Sequence, residues 1–213
     1  MLHNVPTWHN VPSTTRILWV GDLQQRRNAE TRDQIVTVAL ALFTERGFGQ
    51  VTMEDIAQAA GVSRRTAYRR FPTKDRIVLE VTKRWLAVWD AVVAAQPDAP
   101  PRVVAEAAGL AVARHIEAHR ADVLAAYAAL AESPTLTQAG AAVNEAWIAR
   151  IVALLRQEPE RLPGSMPYVI AGAYLGAIDA MMAHWVAGNG RGSVVRETQA
   201  IFDRLRPIWP AAG

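Results

Sequence analysis

Residues 52–72, TMEDIAQAAGVSRRTAYRRFP, leave room for little other than two short helices joined by a tight turn. Thr52 can cap a helix start, with Asp55 three positions on in a capping-box-like arrangement. Ile56, Ala57 and Ala60 then fall on one inner face. Gly61 admits a left-handed backbone. Ser63 can cap the next helix, and Pro72 stops it after Phe71. Helix, glycine turn, helix is the helix-turn-helix arrangement. Its second helix is the one whose exposed side enters a DNA major groove.

The second helix can be laid out by angle. At about 100° per residue, Ala67 and Phe71 share an inward stripe and Arg65 and Arg69 lie opposite it. Arg64 and Tyr68 take one flank, Thr66 and Arg70 the other. Four arginines so close together repel, so an outside anion must neutralise them. The guanidinium fork matches guanine edges and phosphates, and Tyr68 can meet a phosphate or a thymine methyl.

The net charge of +3 hides an asymmetry. Residues 26–84 hold twelve Lys/Arg against seven Asp/Glu, whereas residues 85–213 hold ten against twelve. A basic first part fits either a polyanion partner for that part alone or a solvated basic face. There is no cysteine, so disulfides and thiolate chemistry are out. No apolar run is long enough to span a bilayer, and the N-terminus lacks the pattern of a secretion signal. The expected location is the cytoplasm.

Residues 1–28, broken by Pro6 and Pro12, read as a poorly structured tail. Within it RILWV, residues 16–20, can be a strand, a docking segment or neither, and Arg26 and Arg27 can follow a DNA backbone. From residue 29 a helical pattern is clear: Ile35, Val38, Ala39, Leu42 and Phe43 recur at three- and four-residue spacing, with Gly47 as the stop. The organisation is then a tail (1–28), a helix-turn-helix head (29–73) and a helical body (74–213), an all-α chain.

At these residues the chain resembles the tetracycline-repressor-like (TetR) family of bacterial transcriptional regulators. The stretches carrying the likeness are ALALFTERGF, VTMEDIAQAAGVSRRTAYRRF and TKDRIV, within residues 29–82. The resemblance implies a three-helix DNA-binding unit followed by a helical ligand-binding and dimerisation domain, whose last two long helices pair between subunits. It also implies DNA contacts from Thr52, Ser63, Arg64, Arg65, Thr66, Tyr68, Arg69, Arg70 and Lys74. Two positions depart from the pattern: Ala67 where leucine is common, and Arg70 where histidine or tyrosine is. Trp85 or another neighbour is expected to fill the space beside Ala67.

In the body, helices are predicted at 74–95, 101–118, 120–131, 135–157, 166–187 and 193–207, with Thr73 capping the first. Breaks fall at 96–101, 132–134, 158–167 and 188–193. The helix 166–187 is rich in small residues that let helix axes approach. Gly172, Gly176 and Ala180, with Ile201, Leu205 and Ile208 beyond, are candidates for a dimer seam, against tight packing within one subunit. Trp89, Tyr127, Trp147, Tyr174, Met181 and Trp185 are candidates to line an apolar pocket, with Trp85 and Met182 nearby. Taken singly, each is equally at home in a plain core. His115 and His119 form an i, i+4 pair without a third metal ligand at convincing spacing. No metal set, phosphate-binding loop or nucleophile motif is present, so neither cofactor nor catalysis is called for.

These readings make the chain a homodimeric, sequence-specific transcriptional regulator, a repressor released from a pseudo-palindromic operator by a small apolar or aromatic effector. The alternatives are a helical enzyme domain with a DNA-binding head, and a ligand-independent DNA-binding protein.

Overall fold

Thr52 closes a reciprocal capping box. Its Oγ1 accepts the Asp55 N–H at 3.1 Å, while Asp55 Oδ2 accepts the Thr52 N–H at 2.8 Å. That box opens α2 (Met53–Ala59). The helix ends in a Schellman motif: Gly61 sits at φ 64°, its N–H reaches Gln58 O, and the Val62 N–H reaches Ala57 O. Ser63 Oγ accepts the Thr66 N–H at 3.1 Å and opens α3 (Arg64–Arg70). Every device here is local, so this part of the fold follows directly from the order of residues.

The computed structural model describes residues 13–158 and 162–209. Among them all regular structure is helical. The remaining α-helices are α1 (Ser13–Arg46), α4 (Lys74–Ala94), α5 (Pro101–Ala118), α6 (Arg120–Glu132), α7 (Pro134–Leu155), α8 (Met166–Ala187) and α9 (Val194–Leu205). The predicted tail is thereby corrected. Its residues 1–12 lie outside the described residues, but 13–28 continue α1, which at 34 residues is about 51 Å long. No proline follows Pro12 until Pro72, so nothing stops the helix from running back to Ser13. RILWV lies on this helix, not on a strand.

The head buries Ile35, Ala39 and Phe43 of α1 together with Ile56 of α2, its C-cap Ala60, and Ala67 and Phe71. Trp85 lies on the wall of a cavity in the body. Arg32 stacks 4.2 Å above the Phe71 ring. The same guanidinium grips Glu80 of α4 with two bonds of 2.9 and 2.6 Å and donates to Arg70 O at 3.2 Å. Burial pushes the Glu80 carboxyl up, but the hydrogen bonds and charge of Arg32 leave it below its ordinary value.

A group held below its ordinary value stabilises the fold above that value and loses the effect as pH falls. Glu80→Gln is therefore expected to lower stability by about 1–2 kcal/mol at neutral pH, between a surface and a fully buried pair because Arg32 is part-exposed. In urea denaturation the gap from wild type should shrink as pH falls below about 4.

The body closes around α4, which packs on α5, α6 and α7, while α5 and α8 pack on α9. Glu117 of α5 fixes the start of α9, its Oε1 accepting from Ser193 Oγ at 2.7 Å and from the Val195 N–H at 3.0 Å. Thr73 stands at the N-cap of α4 but makes no side-chain cap bond, a second correction. A third concerns α8. Asp179 and His184 interrupt its apolar run, yet the helix is long and apolar enough by length and composition to cross a membrane, with mean hydropathy 1.4. Here it packs along α7 and α9.

Candidate DNA interface and effector cavity

The outer side of α3 presents Arg64, Arg65, Tyr68 and Arg69 to solvent, with Ser63 and Thr52 exposed at the two helix starts. Ala67 and Phe71 are fully buried on the other side, so packing fixes which way the arginines face. The Tyr68 hydroxyl donates to Glu54 Oε1 of α2 at 3.3 Å, which steadies the ring between the two helices.

Three of the nine predicted DNA-contacting residues are part-buried and held within the fold. Thr66 is half-buried and its hydroxyl pairs with that of Ser63 at 2.9 Å. Arg70 bonds to Asn28 Oδ1 on α1, and its Nε is buried without an acceptor among the described residues. Lys74 turns inward: Nζ donates to Phe48 O at 2.6 Å and Val51 O at 3.1 Å and sits 4.3 Å over the Phe48 ring. These carbonyls lie 26 and 23 residues upstream, so no local spacing announces them. Lys74 ties α4 to the short 3-10 turn Phe48–Gln50 rather than offering a free cation. Asn28 escaped the sequence reading because it fell within the supposed tail.

The head is also gripped from α6 and its corner with α7. The Gly49 N–H donates to Glu132 Oε2 at 3.1 Å, and Ser133 Oγ donates to Asp75 Oδ1 at 3.2 Å. Arg84 of α4 reaches Asp33 of α1 at 2.6 Å. Movement of α4 or α6 thus bears directly on the head.

The body holds a cavity with room of about 110 Å³ for the centres of water-sized molecules. That is several times what one water needs. All six helices α4–α9 contribute to its wall. Of the six predicted pocket residues, Trp89, Tyr127, Trp147, Tyr174 and Met181 line it, joined by Trp85 and Met182. Trp89 and Trp147 meet edge-on at 5.6 Å. Trp185 does not reach the cavity. It packs under the α8–α9 turn, where Nε1 donates to Gly192 O at 3.4 Å and a Cβ on Gly190 would come within 3.1 Å of its ring.

Phe202, Thr198 and Trp209 line the cavity without having been singled out from sequence. Trp209 meets Tyr174 edge-on at 5.7 Å and is held by a 2.6 Å bond from Nε1 to the buried Glu158. These residues are far apart in the chain, and only tertiary packing brings them together.

The charged residues lining the cavity are Arg102, Glu106 and Asp179. Arg102 and Glu106 lie near Tyr174, with Glu106 paired to Arg206 at 3.2 Å. Asp179 stands at the rim near Tyr127, exposed on its outer side, its carboxyl held above the ordinary range by the apolar wall. Burial, and then the Asp179 charge, push the Tyr127 hydroxyl up to about 12. Burial and then Glu106 do the same to Tyr174, also to about 12. His115 and His119 lie with rings stacked at 4.1 Å, and no group of three or more metal-ligating side chains occurs among the described residues.

Along α8, Tyr168, Val169, Gly172, Ala173, Gly176 and Ala180 form an exposed strip, and a Cβ on either glycine would meet nothing within 4 Å. Ile201 and Leu205 of α9 are half-buried against the chain's own core, while Ile208 is exposed.

Residues 35–81 match the family model described as bacterial regulatory proteins, tetR family. Across 162 residues the chain is 30% identical to the transcriptional regulator EthR of Mycolicibacterium smegmatis, covering 70% of each protein. The chain belongs to the TetR family. The regulator TcmR of Streptomyces glaucescens is 39% identical over 70 residues, 33% of this chain and 31% of that protein. Two solved structures share the fold. SmeT, bound to triclosan, superposes with a TM-score of 0.68 at 18% identity, over 86% of this chain and 93% of SmeT. FadR of Thermus thermophilus, bound to lauroyl-CoA, gives 0.60 at 21% identity, over 85% and 96%. This TetR-family chain is a DNA-binding transcriptional regulator.

Proposed function

We propose that the chain is a homodimeric repressor whose grip on its operator is released when a small apolar or aromatic molecule enters the cavity between α4 and α9. The observation that carries this reading is that one helix serves both parts. The first turns of α4 hold the head through Lys74 and Glu80, while Trp85 and Trp89, further along the same helix, wall the cavity. Lys74 and Trp85 are about 16 Å apart along it. An effector that fits the wall only after α4 shifts has different affinities for two states, which is what release requires. The SmeT complex with triclosan and the FadR complex with lauroyl-CoA support this reading, one ligand being aromatic and the other bringing an apolar acyl chain. The cavity then binds without turnover, which a product assay on any effector found would check. The DNA partner places the action in the cytoplasm.

In this reading Arg65 and Arg69 line the groove, and Arg64, Tyr68, Ser63 and Thr52 position the head on the phosphates. The exposed strip of α8 forms the seam between subunits, setting two α3 helices one DNA turn apart. The test is fluorescence anisotropy on DNA upstream of the protein's own gene, with and without a panel of small apolar compounds. Absence of a specific complex at moderate salt would overturn the reading. Arg65→Ala is expected to weaken the complex by ~1–3 kcal/mol. Unchanged affinity would remove Arg65 from its role.

A further inference from the structure

We infer that the effector carries a carboxylate on its apolar body, and that Arg102 and the Tyr174 hydroxyl hold that carboxylate. This rests on the reading of the cavity as the effector site. Both residues line the cavity, and Arg102 stands close enough for its charge to act on the Tyr174 hydroxyl. Arg102 is half-buried and makes no ion pair or hydrogen bond among the described residues. Tyr174 is only 6% exposed, its ring packed against Phe202 and Trp209. Its hydroxyl also lacks a partner among the described residues, yet it is not sealed in as the Trp85 and Arg70 nitrogens are. It therefore keeps open surface on the wall of the cavity.

The carboxylates of the chain itself do not answer these two donors. Glu106, one turn along α5 from Arg102, has both its oxygens bonded to Arg206, at 3.2 and 3.3 Å. Asp203 accepts from the same Arg206 at 2.9 Å. Two acids thus share one arginine, and Arg102 is left over. A guanidinium cannot shed its proton, so a half-buried one without a partner stays charged at a cost. Arg102 also stands in the first turn of α5, where the helix dipole opposes a cation and favours an anion. Burial, and then Glu106, raise the Tyr174 pKa to about 12, so at neutral pH its hydroxyl is protonated and donates. One guanidinium fork and one O–H match a single carboxylate. A cationic effector would have to turn to Asp179. That carboxyl is exposed, so water can serve it, and Tyr127 is its neighbour. Asp179 also repels an anion, which directs the head to Arg102 and leaves the aromatic and aliphatic wall to the body.

Two probes of one shape isolate the charge: 4-phenylbutanoate, and 4-phenylbutanamide, its neutral isostere. Calorimetric titration of the full-length protein at neutral pH should show the acid binding about tenfold or more tightly. In Arg102→Gln, which keeps a polar side chain and loses the charge, that preference should vanish while the amide binds as before. Tyr174→Phe, which keeps the ring against Trp209, should weaken the acid about threefold or more. Unchanged acid affinity there would overturn the role of the hydroxyl. Equal affinities in the wild type, or a preference that survives in Arg102→Gln, would overturn the inference, while binding of the amide would leave the cavity reading intact. Binding of neither probe would overturn the inference as well. The panel of small apolar compounds on the operator complex then decides the cavity reading separately. Should Arg102→Gln fail to fold, Arg102→Lys keeps a cation and loses the fork. The preference should then fall, and an undiminished one overturns the inference.

Discussion

Phe71→Ala is expected to remove about 3–5 kcal/mol of stability, enough to melt most of the DNA-binding head. Phe71 is fully buried at the end of α3, with its backbone N–H bonded to Ala67 O at 2.8 Å. Its ring is roofed by the Arg32 guanidinium, which also bridges to Glu80. The alanine therefore leaves a cavity and strips the surface on which Arg32 rests. α3 has only seven residues, too few to persist without tertiary packing. Urea denaturation should show the loss, and hydrogen exchange should locate it in residues 35–81. Operator binding should vanish along with it. Loss of less than about 1 kcal/mol would mean the head is not organised around this ring.

What the sequence revealed and what it hid divide along a physical line. Thr52, Gly61 and Ser63 were legible because each acts on backbone groups within three or four residues. The burial of Ala67 and Phe71 was legible because helical periodicity alone selects the inner stripe. The helical stretch 13–28 was not, because Pro6 and Pro12 made the whole segment read as a tail, and its exposed residues 23–27 leave no periodic signal. Lys74 looked like a free cation at a helix start, but its partners Phe48 and Val51 come from a distant turn. At the cavity, aromatic content pointed to the right half of the chain. It could not separate Trp85, which lines the cavity, from Trp185, which caps a turn. Nor could it bring in Phe202 and Trp209, since that assignment depends on how α8 and α9 return across α5.

Gly176→Arg should abolish the dimer while leaving each chain folded. In the single chain a Cβ at Gly176 would meet nothing within 4 Å, so a long side chain there runs into open space and thermal stability should be unchanged. Around it, Tyr168 and Val169 are 51% and 56% exposed, an apolar strip of the kind that marks a partner surface. Small residues at 172, 173, 176 and 180 would let a second copy of α8 approach closely. A guanidinium in such a seam would hold the helices apart and bury a charge with no partner. Sedimentation should therefore give a monomer. Operator affinity should fall by about 10²–10⁴-fold, because the second head no longer binds as part of the same molecule. The same arginine at exposed Ala128 of α6, off this strip, should change neither mass nor affinity. A dimeric Gly176→Arg would move the seam elsewhere. A monomer that still bound the full operator tightly would instead mean that the two heads need no link, and the arrangement of paired α3 helices would have to be abandoned.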